Sequence, residues 1–281
     1  MKKKGQTTYR ELIGGFIAKG YKLKSYGEIK EGRKKYRLYK TVINPRYRRT
    51  LLITSGFHGE EFNGPISLLG IFDEVAAYAK KMRVRLVVYP CVNPSGFDRH
   101  QRYNASGESQ NNDFLRYEIK GGRLVGTWLK KDGPFVSFKI VDSGAKEVRL
   151  LKKDVLQYTS PVPIGVLDIH QQKDNLETGD VYAYIFDQRS IYLKIMKKLE
   201  KIAKIARNDS WIDTDDGRQI HARIDKGGFV FLHDGTLTDM FYRLGSKFVV
   251  TSETKTTMSL EKVCQVNLIW IKELMKLIVK K

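Results

Sequence analysis

Residues 50–65 read TLLITSGFHGEEFNGP and carry the clearest structural signal in the chain. An apolar run, LLIT, breaks at SG, and NGP then opens a helical pattern, as expected for a buried strand, a tight turn and a helix start. The turn holds His58 and Glu61 with the spacing His-x-x-Glu. Imidazole and carboxylate are both zinc ligands, so the turn is a candidate metal site. A helix start with acids in its first turn explains the same residues without a metal.

The sequence after this turn extends the pattern into a parallel sheet. Residues 66–80 have the apolar spacing of a helix that covers a core, and residues 85–91 form a second apolar run of strand length. Strand, helix and strand at this spacing predict a βαβ unit. Residues 164–169 and 248–250 predict further buried strands. We therefore expect one domain over residues 1–281, with a three-layer α/β/α fold and a mixed, largely parallel central sheet.

The remaining periodicities fill in this fold. Further helices are predicted at residues 8–19, 148–158, 190–206, 238–244 and 259–280. Further strands are predicted at residues 23–29, 35–43 and 181–186. Two segments are predicted to be loops, residues 93–114 and 211–231. The first is polar, rich in glycine and longer than a simple connection, which favours a functional loop.

Composition restricts the class of protein. Lys and Arg number 51 against 31 Asp and Glu, a formal charge of +20, which attracts anions. The basic residues are scattered, so we expect a solvated surface and no specific nucleic-acid partner. No apolar run is long enough to span a membrane, and the basic start lacks a hydrophobic signal core, so we expect a cytoplasmic protein without a membrane partner. Cys91 and Cys264 are expected to be buried, reduced thiols.

Residues with catalytic potential follow several of the predicted strands. His58 and Glu61 follow the first, Asn93 the second, His170 the third and Glu253 the last. Ligands of open α/β sheets bind beyond the carboxyl ends of the strands, so these side chains are expected to meet. Two His and one Glu with an open fourth position describe a catalytic zinc site. A further carboxylate could serve as general base, and an Arg could stabilise an oxyanion.

Short motifs occur in a fixed order along most of the chain. They are YG at 26–27, EGR at 31–33, GFHGEE at 56–61, NPSG at 93–96, DIH at 168–170, GT at 235–236 and TSET at 251–254. With these motifs the chain resembles the zinc carboxypeptidase family. It is nearest to the bacterial murein peptide amidase-like members, and more remotely similar to the succinylglutamate desuccinylase/aspartoacylase group. Asp239 and Glu253 have the spacing that the last motif of the family requires.

The resemblance implies a role for each candidate residue. It implies that one zinc ion is bound by three side chains, His58, Glu61 and His170. Glu253 is implied as general base and then proton donor, and Arg102 as the group that polarises the scissile carbonyl. Asn111 is implied to bind substrate.

Asn112 departs from the family pattern, because it stands where the family has an Arg that pairs with the terminal carboxylate of a substrate. A neutral amide cannot make that charge-assisted bidentate contact. Removal of ordinary C-terminal residues is therefore not implied, and the substrate bound by Asn111, Asn112 and Arg102 is expected to differ. Arg99 and Arg116 are candidates to replace the charge, as is Arg123.

The other polar candidates have simpler explanations. Phe231 falls where the family has a Tyr, and His233 is the nearest polar ring, placed equally well at the edge of the site or on the surface. Asp168 is expected to orient a metal-bound His. His100 is expected to be solvated, and His221 to lie on the surface.

We therefore expect a zinc metallopeptidase that hydrolyses an amide bond in a peptide or peptide-like substrate, with cell-wall peptide among the candidates. An N-acyl amino acid deacylase is the first alternative, although that group usually carries a further β-rich domain and a single helical pattern follows Glu253 here. A catalytically inactive basic protein that binds anionic polymers is the second. The complete set of His58, Glu61, His170 and Glu253 argues against the second.

Overall fold

The computed structural model describes residues 7–172, 177–215 and 217–280, with the side chains of residues 213–215 excepted. The α-helices in these ranges are α1 (Tyr9–Ala18), α2 (Asn63–Met82), α3 (Pro94–Arg99), α4 (Lys146–Val155), α5 (Arg189–Leu199), α6 (Leu237–Arg243) and α7 (Leu260–Val279). The strands are β1 (Leu23–Glu31), β2 (Lys34–Ile43), β3 (Thr50–Ser55), β4 (Arg85–Tyr89), β5 (Leu115–Glu118), β6 (Leu124–Val125), β7 (Ser137–Ile140), β8 (Gly165–Gln172), β9 (Val181–Ile185), β10 (Ser210–Asp215), β11 (Arg218–Arg223), β12 (Phe229–Val230) and β13 (Phe248–Lys255).

Within the described residues, eight strands form the central sheet in the order β1-β2-β4-β3-β8-β13-β9-β12. The four central strands β4, β3, β8 and β13 run parallel to one another. Strands β1 and β2 extend one side in antiparallel pairing, and β9 pairs antiparallel with β13 on the other. Every residue of β3 is buried, as expected for a strand covered on both faces. The predicted mixed, largely parallel sheet is therefore confirmed.

Two apolar clusters lie on opposite faces of this sheet. Side chains alternate along β3, so Leu51 and Ile53 join one cluster and Leu52 joins the other. Helices α1, α2, α5 and α7 cover the first face, and α4 and α6 cover the second, for example with Leu151 and Met240. This arrangement is the predicted three-layer α/β/α fold.

The predicted helix at residues 190–206 is too long at its C-terminal end. Helix α5 ends at Leu199, and the following residues pair with the sheet instead. Ile205 forms a parallel bridge with Val181, and the Ala206 main-chain NH donates to the Val181 carbonyl at 2.9 Å. The apolar residues keep a helical spacing past Leu199, but the main chain there forms hydrogen bonds with the sheet instead of another helical turn.

Both predicted loops contain regular structure. Residues 93–114 include the short helix α3, whose start is fixed because Asn93 Oδ1 accepts from the Gly96 main-chain NH at 2.8 Å, with Pro94 at the first helical position. Residues 211–231 include most of the β10–β11 hairpin and strand β12, so the loop prediction was wrong there. Alternate residues Ile220 and Ala222 of β11 are buried, and this period of two was the missed signal.

Two predictions from composition can be compared with the described residues. No helix in the described ranges combines the length and the apolar character that crossing a bilayer requires. Cys91 and Cys264 are free thiols, as predicted, but Cys264 is only half-buried.

Candidate metal centre

The turn after β3 places His58 because two glycines allow the chain to bend closely. Gly56 has φ of +68°, a left-handed backbone conformation that residues other than glycine rarely adopt. A Cβ atom on Gly59 would lie 1.9 Å from the main-chain carbon of Gly96. The two loops are joined at this point, since the Gly59 NH donates to the Arg102 carbonyl at 3.3 Å. Only a residue without a side chain allows this approach at position 59.

Glu61 lies between two imidazoles. Its Oε1 lies 2.6 Å from His58 Nδ1, and its Oε2 lies 2.9 Å from His170 Nδ1. One ligand atom from each of the three side chains lies within 4.8 Å of the others, and all three residues are buried. His170 is more than a hundred positions from His58 and Glu61 in the sequence, and the parallel pairing of β3 with β8 brings it to them. Two nitrogens and a carboxylate at this spacing suit a divalent cation that takes nitrogen and oxygen ligands.

Asp168 holds the far side of the His170 ring. Its Oδ2 lies 2.9 Å from His170 Nε2, and its Oδ1 accepts from Thr54 Oγ1 at 2.8 Å. A carboxylate on the second ring nitrogen fixes the orientation of a His and leaves Nδ1 for a cation. The structure therefore places Asp168 in the orienting position that the sequence suggested.

The three candidate ligands change one another's pKa values. Burial would raise the pKa of Glu61, but the adjacent imidazoles His58 and His170 hold it well below its usual range. Burial lowers the pKa of His58. Burial acts in the same direction on His170, but Asp168 and Glu61 outweigh it and raise the pKa of His170. Glu61 is therefore ionised, as a carboxylate ligand must be.

Glu253 lies beside this group on the neighbouring strand. It is the register partner of His170 in the parallel β8–β13 pair, and it lines the same cavity of about 360 Å³ as the three candidate ligands. Its Oε2 is buried and has no hydrogen-bond partner among the described atoms. Burial raises the pKa of Glu253 to about 8, and the Glu61 carboxylate adds to the increase while His170 opposes it. A buried carboxylate with a raised pKa can accept a proton near neutral pH.

His170 and Glu253 lie within their strands rather than after them, contrary to the sequence prediction. Strand β8 continues to Gln172 and β13 to Lys255. Strand β3, however, ends at Ser55, which is paired with Ile169. The site is open because β3 stops one residue short of His170. The side chains therefore meet near the carboxyl end of β3, although the ends of β8 and β13 were predicted too early.

Arg102 reaches the cavity from the loop after α3. Its guanidinium Nη1 lies 3.5 Å from Glu60 Oε1 and 4.0 Å from Glu61 Oε1, and 45% of the side chain is exposed. Glu60 and Glu61 keep the Arg102 guanidinium next to the candidate ligands without burying it. Arg102 therefore lies at the cavity with part of its side chain accessible.

Asn111 and Asn112 also line the cavity, but Asn93, which was expected to meet the other candidates, does not, because its side chain caps α3. Asn112 Nδ2 donates to the Asp234 carbonyl at 3.0 Å. Asn111 Oδ1 has no hydrogen-bond partner among the described atoms. Arg102 is the only arginine among the described residues that line this cavity.

The arginines proposed to replace the missing charge are used elsewhere. Arg116 donates through Nη1 to the Asn112 carbonyl at 2.6 Å and pairs through Nη2 with Asp113 at 2.6 Å. Arg99 Nη1 donates to the Ala105 carbonyl at 3.2 Å, and Arg123 is exposed. The described structure thus offers no substitute among these three residues.

Sequence reasoning missed a row of hydroxyl groups in the cavity wall. Thr238 Oγ1 lies 3.1 Å from Thr236 Oγ1 and 2.9 Å from Thr251 Oγ1. All three residues line the cavity, as do Trp211 and Ile212 from the β10–β11 hairpin. Thr236 and Thr251 lie in motifs already quoted for the resemblance and Thr238 lies between them, but their convergence depends on the packing of α6 against β13. Their signal was therefore present in the sequence without its geometry.

Phe231 and His233 are the two rings near the position where the resembling family has a Tyr. His233 does not line this cavity; its Nδ1 lies 2.8 Å from Asp239 Oδ1, and the Tyr117 hydroxyl donates to the same oxygen at 2.7 Å. Phe231 is 49% exposed. Of the remaining histidines, His221 is exposed as predicted. His100 packs on Phe62 and is half-buried, so the prediction of a solvated ring was wrong.

The fold is that of metallopeptidases and metallo-carboxypeptidases. A candidate metallopeptidase of Shewanella denitrificans is similar with a TM-score of 0.67 and 22% identity over 94% of this chain and 87% of that one. A candidate metallopeptidase of Shewanella baltica has a TM-score of 0.66 and 24% identity over 96% and 90% of the two chains. A metallo-carboxypeptidase of Burkholderia cenocepacia has a TM-score of 0.64 and 12% identity over 96% and 69%. The sequence matches no protein-family model and no curated protein. The predicted resemblance is confirmed at the level of the fold.

Proposed function

We propose that this protein is a zinc-dependent hydrolase that cleaves an amide bond in a peptide or peptide-like substrate. The observation that carries this proposal is one cavity in which two imidazoles flank the Glu61 carboxylate while a second buried carboxylate, Glu253, keeps an oxygen without a partner. The fold shared with metallo-carboxypeptidases supports it.

Each side chain has a distinct task in such a reaction. His58, Glu61 and His170 hold the cation, and Asp168 keeps the His170 ring in place. A zinc ion held by these three side chains would supply Lewis acidity toward the scissile carbonyl and toward water. Glu253 accepts a proton from the attacking water at Oε2 and returns it to the leaving nitrogen, so that the departing group is a neutral amine.

The oxyanion and the ends of the substrate are bound by the loop residues. Arg102 lies beside Glu61 and can donate to the oxygen that becomes negative during attack. Asn111 offers an unpartnered amide oxygen, which accepts a hydrogen bond from a substrate NH. With Asn112 in place of an Arg, the cavity favours a neutral polar group over a free terminal carboxylate.

Peptide turnover is the direct test. Purified protein with one equivalent of zinc is incubated with peptides, C-terminally amidated peptides, muropeptides and N-acyl amino acids, and the released amines are measured. We expect hydrolysis of peptide or muropeptide amides, and a loss of about 100-fold or more in kcat for Glu253→Gln. Glu261→Gln, an exposed carboxylate in the first turn of α7, is the matched control and should retain full activity.

The same panel separates the alternatives. Turnover confined to N-acyl amino acids would instead identify a deacylase. Tight binding of an anionic polymer that weakens with salt, combined with no turnover of any substrate, would replace the hydrolase by an inactive binding protein. Activity that is unchanged in Glu253→Gln would exclude the proposed base.

A further inference from the structure

A second cavity adjoins the catalytic one. It has a volume of about 400 Å³ and shares two wall residues, Phe186 and Leu232, with the cavity that contains His58 and Glu253. Phe186 and Leu232 line both cavities, so the two cavities are neighbours, and a ligand longer than the first cavity would reach the second past these two side chains. This inference rests on the proposed function, since it concerns the substrate of that same site.

The walls of the second cavity are aromatic and already packed into position. The His233 ring stacks on Phe186 with centroids 5.1 Å apart and lies 5.4 Å from the Trp128 ring. The main chains are joined as well, since the Trp128 NH donates to the His233 carbonyl at 2.9 Å. A cavity built this way loses little entropy when it orders around a ligand.

The polar edges of these rings are directed into the protein. Trp128 Nε1 donates to the Gly133 carbonyl at 2.8 Å, and His233 Nδ1 lies 2.8 Å from the buried Asp239 carboxylate. The rings therefore offer mainly apolar surface to a ligand. Phe231 adds to this surface, and 49% of the residue is exposed.

Charge narrows the class of ligand further. Lys130 is the only Lys, Arg, Asp or Glu among the described residues that line the second cavity. Its methylene stem can cover apolar groups, while its ammonium disfavours a cationic side chain. No carboxylate in the described wall is available to neutralise a substrate Lys or Arg.

We propose that the cavity lined by Trp128, Phe186, Phe231, Leu232 and His233 binds an apolar or aromatic side chain of the peptide substrate while the scissile amide lies at the metal centre. The substrate is then an extended peptide, and recognition depends on a residue at a distance from the cleaved bond. Apolar cavities next to a few polar groups are the usual form of a specificity site.

A positional scan tests this binding mode. One Phe is moved along a Gly/Ser host peptide, and kcat/KM is measured for each position. We expect one position at which Phe raises kcat/KM by about 10-fold or more over Gly, with Leu intermediate and Lys poorest. In Phe231→Ala this advantage should fall by about 10-fold. Tyr47→Ala removes a partly exposed ring far from both cavities and should not change it.

A gain of function gives an independent readout. Phe231→Glu introduces an acid into the same wall and should reverse the preference, so that Lys at the identified position becomes better than Phe. Binding of the Phe peptide to Glu253→Gln protein, measured by calorimetry, reports occupancy of the cavity without turnover.

The outcomes distinguish the two proposals. Hydrolysis that is equal at every Phe position, or a preference that Phe231→Ala and Phe231→Glu leave unchanged, overturns the second cavity and leaves the hydrolase standing. Binding of the Phe peptide that depends on Phe231, without hydrolysis by the wild-type protein, supports the cavity and overturns the hydrolase. The absence of both binding and hydrolysis overturns both.

Discussion

Asp168 Oδ2 lies 2.9 Å from His170 Nε2, on the side of the ring opposite the Nδ1 that faces Glu61. Neither residue is free to rotate, because Thr54 Oγ1 also donates to Asp168 at 2.8 Å and both side chains are buried. The pair therefore sets the direction of the nitrogen that faces the candidate cation.

Replacement of Asp168 by Asn should weaken cation binding without abolishing it. Asparagine keeps the shape of the side chain but loses the negative charge that makes the ring a stronger ligand, so zinc affinity should fall about 10–100-fold. Competition with a fluorescent chelator measures this change. Asp142→Asn, away from the cavity, serves as the control. An unchanged affinity would show that Asp168 does not support the metal centre.

Replacement of Asn112 by Arg should restore selectivity for a free carboxylate. The added guanidinium can make charge-assisted hydrogen bonds, and about 1.5–3 kcal/mol corresponds to a 10–100-fold gain. We expect the ratio of kcat/KM for free and amidated C-termini to rise by that factor. Gln219→Arg adds the same charge on β11 outside the cavity and should leave the ratio unaltered. An equal response of both variants would assign the effect to net charge.

Gly59 should tolerate no side chain. The Cβ of Gly59→Ala would lie 1.9 Å from the Gly96 main-chain carbon, and a main chain cannot move aside as a flexible side chain can. We expect a loss of about 1–3 kcal/mol in the free energy of unfolding, measured with urea. Gly14→Ala in α1 meets no atom within 4 Å and should stabilise the protein by about 1 kcal/mol. Equal effects of the two changes would contradict the close approach of the loops.

Glu147 should make stability depend on pH. It is fully buried, Asn104 Nδ2 donates to its Oε1 at 3.0 Å, and its Oε2 has no partner among the described atoms. Burial raises the pKa of Glu147, so the folded state binds this proton more tightly than the unfolded state. The cost of ionisation is absent below the unfolded pKa of about 4.3 and increases as pH rises through the folded pKa.

Glu147→Gln removes that cost. The variant and the wild type should have similar stability near pH 4, and the variant should become relatively more stable as pH rises to 8. Urea midpoints at several pH values measure the difference, with Glu261→Gln as the exposed control. A difference that shrinks with increasing pH would have the wrong sign and would contradict a raised pKa.

The sequence was sufficient for the features that depend on local patterns. The turn of His58 and Glu61 could be predicted because a buried strand, glycines and a helix start occur within a few residues of one another. The end of the helix that begins at Arg189 could not be predicted, because Ile205 pairs with Val181 at the sheet instead of continuing the helix. Pairing between distant segments has no local signal.

The cavity itself shows the same division. Four of its titratable residues, His58, Glu61, His170 and Glu253, were identified from their chemistry and their position near strand ends, and Arg102 was identified from the resemblance. Trp211 and Ile212 were missed. They reach the cavity on the β10–β11 hairpin, which lies outside the central sheet and was predicted to be a loop. The side chains that reach the cavity from outside the central sheet are therefore the ones that sequence patterns reveal least.

Elemental analysis of zinc in the purified protein shows whether His58, Glu61 and His170 hold a metal ion. We expect about one equivalent per chain in the wild type, because these side chains offer one ligand atom each around a single point. We expect none in His58→Ala, and one in His100→Ala, whose ring packs on Phe62 outside this group. Equal metal content in wild type and His58→Ala would rule out the proposed metal centre.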